Sequence, residues 1–120
     1  MRPIAITALI LWITCAGGTE YSVILRNTTS QMIDDGHVSY GAFKSIGGVI
    51  PPGAFKEHSG ILRSVRPIPE EATVQWRTAD GVMHSKTVAV RSALPADFSG
   101  SINFDIGEDE HVRVWSRPKD

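Results

Sequence analysis

The 120 residues contain a single cysteine, Cys15, which excludes an internal disulfide framework and a thiolate-rich zinc site. The fold must therefore hold by packing alone. Net charge is also small: 12 Lys and Arg stand against 13 Asp and Glu, and removing a leader that carries Arg2 leaves 11 against 13. No long-range field favours nucleic acid or an anionic lipid surface. Low-complexity tracts are absent, and the length admits one small core. Past the N-terminus no stretch shows helical periodicity of useful length.

The longest apolar run is short and N-terminal. Met1 and Arg2 supply positive charge, Ile4 to Ile13 carry none, and the small residues Thr14, Ala16, Gly17 and Gly18 surround Cys15 before the chain turns polar at Thr19 and Glu20. A bilayer-spanning helix needs about 20 apolar residues, roughly twice this run. The composition is that of a secretory leader removed from the mature chain.

Within it, "WITC" resembles the lipobox of bacterial lipoproteins, in which the cysteine becomes the acylated first residue after cleavage. That pattern prefers Leu, Val or Ile three places before the cysteine and Gly, Ala or Ser directly before it; this chain has Trp12 and Thr14 there. The resemblance implies a lipoprotein signal peptide over residues 1–14, lipidation of Cys15 and a short linker through residue 20. Ala16, in place of Asp, implies the periplasmic side of the outer membrane. Each buried methylene of an acyl chain stabilises membrane residence by about 0.8 kcal/mol, and two or more chains anchor durably. The alternative is an ordinary signal peptide cut near Ala16 or Gly17, which leaves a soluble periplasmic protein.

From residue 21 the pattern has period two. "EYSVILRN" places Tyr21, Val23 and Leu25 on one face, and "NTTS" ends the strand. Asn27-Thr28-Thr29 matches a glycosylation sequon, read as accidental in a bacterial chain. A second strand is expected over His37–Phe43. The stretch from Gly47 to Gly60 holds two prolines and four glycines, which predicts a loop with a tight turn at Pro52-Gly53. It lacks the lysine and hydroxyl of a phosphate-binding loop. "ATVQWRT", "ADG" and "VMHSKTVAV" form a hairpin with Val74 and Trp76 on one face and Asp80-Gly81 in the turn. "SALPADFSG" drops Leu94 and Phe98 onto the sheet. "SINFDI" then points Ile102, Phe104 and Ile106 inward and Asn103 and Asp105 outward, and the tip "GEDE" leads to "HVRVWS". The expected fold is a small antiparallel β-sandwich or barrel-like sheet of about six strands, one domain over residues 21–117 with a tail at 118–120.

No catalytic, cofactor or metal site emerges. His37, His58, His84 and His111 stand on separate elements without zinc-motif spacing. "HSG" and "FSGS" lack the glycine two places before the serine that builds a nucleophile elbow. Asp34-Asp35 and Glu70-Glu71 are adjacent in sequence, so on a strand they point to opposite faces, and they read as solvated turns. Nucleophile, base and oxyanion donor are nowhere implied together, and the reading is non-enzymatic.

Recognition by surface remains. Glu108, Asp109 and Glu110 put three carboxylates on a hairpin tip, where they either steer a cationic partner or simply keep the turn soluble. Phe55, with Val49 and Ile50, is either presented to a partner by a proline-stiffened loop or folded beneath it. "PEEATVQWRTADG" leading to "LPADFSGSINFDI", behind the lipobox-like leader, resembles small bacterial lipoproteins found beside type VI secretion lipase effectors. The resemblance spans Ile68 to Val114. It implies an immunity protein, held at the membrane by its lipid, that binds and blocks a secreted lipase-type enzyme. The alternative is a non-enzymatic accessory lipoprotein of an envelope secretion or assembly machine.

Overall fold

The structure is a computed structural model that describes residues 20–45 and 47–118. The expected signal peptide, the lipidation site at Cys15 and residues 119–120 lie outside the described residues. Eight strands follow in order: β1 Glu20–Asn27, β2 Asp34–Tyr40, β3 Phe43–Lys44, β4 Phe55–Leu62, β5 Glu71–Arg77, β6 Met83–Ala89, β7 Gly100–Ile106 and β8 Val112–Arg117. They form two four-stranded sheets, ordered β4-β1-β7-β8 and β3-β2-β5-β6, packed as a small all-β sandwich.

Alternation decides what fills the space between the sheets. Tyr21, Val23 and Leu25 of β1, Val74 and Trp76 of β5, and Ile102, Phe104 and Ile106 of β7 are all buried there, as the period of two predicts. Each such side chain contributes about 1.5–3 kcal/mol when fully removed from water. After a 3₁₀ turn at Arg91–Ala93, Phe98 seals one end against Tyr21, ring edge to ring face at 6.5 Å. The two expected hairpins are present as β5–β6 and β7–β8.

Four features depart from the sequence expectation. The expected second strand breaks at Gly41, whose φ of 56° reverses the chain so that Phe43 pairs back on Tyr40 as β3. The expected loop ends early, because Phe55 onward forms β4 along the edge of the first sheet. An edge strand tolerates the nearby prolines and the bulge where Tyr21 faces Ile61 and Val23 faces His58. The first sheet is mixed: β1 and β7 run parallel, Leu25 beside Phe104, while the other ladders are antiparallel. Asn103 points outward as expected yet is only 1% exposed, lying in register between Ile24 and Trp115.

The parallel pair fixes which ends meet. Glu20, where the chain enters β1, lies at one end of the sandwich; Asn27 and Ile106 lie together at the other, followed there by the 107–111 tip. Asn27 is fully buried at that distal end, its amide donating to the carbonyls of Ile50 and Gln31 at 2.8 and 2.7 Å. A glycan has no room on that nitrogen, so the sequon is structural.

Candidate functional site

The outer face of the first sheet is built in rows by its register. Across four strands, Phe55, Arg26, Asp105 and Arg113 stand abreast, and Glu57, Ile24, Asn103 and Trp115 form the next row. Arg26 organises the face. Its guanidinium donates to Asp105 Oδ1 at 3.0 Å and lies 5.5 Å from the Phe55 ring centroid and 5.7 Å from that of Trp115. The indole N–H of Trp115 donates to the other oxygen of the same carboxylate at 2.9 Å. Arg113 and Arg117 approach the indole at 5.3 and 5.6 Å. Asp105 thus holds a cation and an indole in one plane of contacts. Both side chains of the Arg26–Asp105 pair are largely screened from water, at 22% and 13% exposed, which keeps the pair from being a loose surface contact.

Phe55 sits at the free rim of this face. It is 51% exposed. Of this stretch, Phe55 and Val49 are exposed, whereas Ile50 turns inward and is fully buried, bridged to Ile33. An exposed aromatic ring resting on a fixed guanidinium is already oriented, so ordering it against a partner costs little further entropy.

The acidic tip is arranged differently from a free charged turn. Glu108 Oε2 accepts the Ser30 backbone N–H at 2.9 Å, and Glu110 Oε2 lies 2.7 Å from His84 Nδ1. His84 stacks on Trp76, ring centroids 5.4 Å apart and planes 13° from parallel, and its Nε2 lies 3.1 Å from Thr78 Oγ1. Thr78 donates to Asp80 Oδ1 at 2.5 Å; that bond, with a second from the Val82 N–H, holds the Asp80 carboxyl below its ordinary range. Two of the three tip carboxylates therefore fasten the tip to the neighbouring segments. Asp109 alone has no partner among the described residues. Beside this contact, tip residues line a cleft of about 270 Å³ together with Trp76, Thr78 and His84.

Phe55 and the tip share the distal end: Phe55 pairs with Arg26, and the following Asn27 pairs with Ile106. The structure brings these candidates to one end, while Cys15 lies outside the described residues. Arg26, Asp105 and Arg113 escape a reading of the sequence. Their only signal there is that each takes an outward position on an alternating strand; that their strands are neighbours is invisible without the sheet order.

The remaining histidines take separate places. His37 is buried, with Nε2 2.7 Å from Gln75 Oε1; His58 packs edge-on against Phe43; His111 is exposed. Among the described residues, no three His, Cys, Asp or Glu side chains converge as metal ligands.

No protein-family description matches this sequence, and no curated protein sequence does. Among solved structures, the NMR structure of a protein from Eubacterium rectale is similar over 87% of this chain and 94% of that one, with a TM-score of 0.55 and 11% identity. At that identity the likeness concerns the fold.

Proposed function

We propose that this chain is an envelope lipoprotein whose β domain binds and inhibits a second protein, an immunity protein that neutralises a toxic enzyme acting in the periplasm. The observation that carries the reading is Phe55, half exposed on a guanidinium that Asp105 holds in place beside Trp115. Tryptophan, tyrosine and arginine dominate the energetics of protein interfaces because they bury much area with few rotamers to freeze. Here an aromatic rim, an indole and Arg113 are already oriented. A partner burying about 800 Å² of this face is of the size that supports a specific complex. Inhibition needs no reaction on this side, only a rigid surface that occludes the enzyme's mouth.

The orientation suits a tethered inhibitor. The chain enters from residue 20 at one end, and Phe55 and the acidic tip stand at the other, directed away from the proposed lipid on Cys15. Confinement to the membrane under attack raises the inhibitor's local concentration there.

The test is affinity capture from solubilised envelope, followed by assay of the captured enzyme with and without added protein. Wild type is expected to capture one enzyme and suppress it, and Phe55→Asp and Arg113→Glu to weaken capture at least about tenfold, the loss of one interface hot spot. Capture of an intact multiprotein machine with no inhibition would replace this reading with that of an accessory lipoprotein.

A further inference from the structure

We infer that the end of the sandwich where β1 begins docks directly on a lipid bilayer, through an apolar knuckle formed by Leu62 and Val65. This rests on the proposed anchor at Cys15. Leu62 and Val65 are 45% and 60% exposed, and Val65 is the most exposed large apolar side chain among the described residues. A tight turn sets them side by side: the N–H groups of Val65 and Arg66 both reach the Leu62 carbonyl, at 3.1 and 2.8 Å.

The knuckle is fixed to the strand by which the chain enters the fold. Leu62 pairs with Glu20 across the sheet, and the buried Tyr21 hydroxyl donates to the Arg66 carbonyl at 2.8 Å. Tyr40 in turn hydrogen-bonds Tyr21, which ties the same turn to the second sheet.

The length of chain between lipid and domain selects the occupant. Five residue steps separate Cys15 from Glu20, a reach of about 17 Å at most. An acylated Cys15 therefore keeps this end of the sandwich within one short tether of the headgroups, and Leu62 stands directly beside its last residue. A permanently adjacent bilayer interface is the apolar environment that an exposed leucine and valine on a rigid turn can enter. Of the charged groups at this end, two arginines are already engaged within the fold. Arg91 pairs with Glu70, Arg63 turns inward to the Phe98 carbonyl, Arg117 lines a cleft with Glu20, and Arg66 belongs to the turn itself. The apolar pair carries the contact, and Arg66 and Arg117 lie where they can meet lipid phosphates as it forms.

The experiment uses the full-length acylated protein in vesicles of phosphatidylethanolamine and phosphatidylglycerol. With Cys15 blocked by lipid, Val65→Cys and, separately, Asp109→Cys each introduce one free thiol for a nitroxide label. Relaxation by oxygen, which concentrates in lipid, is compared with relaxation by a water-soluble nickel chelate. Docking is expected to favour oxygen at position 65 and the nickel chelate at position 109, and Leu62→Asp to return position 65 to the aqueous pattern. Protein that floats with the vesicles while position 65 remains as aqueous as position 109 overturns docking and leaves the anchor standing. Protein that fails to float overturns both.

Discussion

Gly47 approaches Gly36 so closely that a β-carbon added to it would lie 1.4 Å from the Gly36 carbonyl oxygen, inside any permissible contact. No side-chain rotation relieves a clash with backbone, so the segment after β3 must move away from β2. Gly47→Ala is expected to lower the unfolding free energy by about 3 kcal/mol, the upper range for an overpacked interior site, as read by urea denaturation. The glycine is needed here for proximity, and it lies in a stretch whose glycines look like mere loop markers in sequence. Asn27 makes the same point with a polar side chain. Beside an apparent glycosylation signal, its amide instead closes the distal end by hydrogen-bonding two backbone carbonyls and accepting the Thr29 N–H.

At the scale of elements, the acidic tip behaves as a fastened turn. Asp109 and Glu110 hold φ of 58° and 61°, a left-handed conformation that non-glycine residues adopt at some cost. The bonds from Glu108 to the Ser30 N–H and between Glu110 and His84 offset that cost. Since Glu110 is about half exposed, its contribution is modest. Glu110→Gln is expected to cost less than about 1 kcal/mol globally. Amide exchange at His111, bonded to Glu108 within the turn, should nevertheless quicken while β7 amides stay protected, and an unchanged rate there would show that the backbone alone holds the turn. Both hairpins were legible because alternation and turn residues are local signals. Strand β4 was not, because its glycine and the preceding prolines argue against a strand except at an edge, and edge position is a tertiary fact.

Across the whole molecule, the two sheets are joined at the entry end by a pair of phenols. Tyr21 spends its proton on the Arg66 carbonyl, so Tyr40 donates to Tyr21. Burial pushes both phenols above their ordinary value of 10.0, Tyr40 the further because it is the donor. A raised folded-state value means that the native protein keeps protons the unfolded chain releases above about pH 10. The contribution of this clasp is therefore fully present below pH 10 and is lost as pH rises through the folded values. Urea midpoints are expected to hold level through the neutral range and fall above pH 10, more steeply in wild type than in Tyr40→Phe. Equal slopes in the two proteins would mean that the clasp plays no part in alkaline unfolding.

The order of polar and apolar residues determined, unaided, that this chain is all-β, a sandwich or barrel-like sheet, which residues of β1, β5 and β7 face inward, where its two hairpins turn, and that Phe55 and the GEDE tip deserved notice. Those properties are local: side-chain direction alternates with each residue, and a turn is decided by four neighbours. Only the tertiary structure decided that β1 lies parallel to β7, because that pairing joins segments about 80 residues apart through an entire second sheet, and no local pattern records it. From this one contact follow the Arg26–Asp105 pair, its grip on Phe55 and Trp115, and the placement of the acidic tip far from Glu20. Alternation tells each side chain which face to take, but a face becomes a surface only when the sheet order supplies its neighbours.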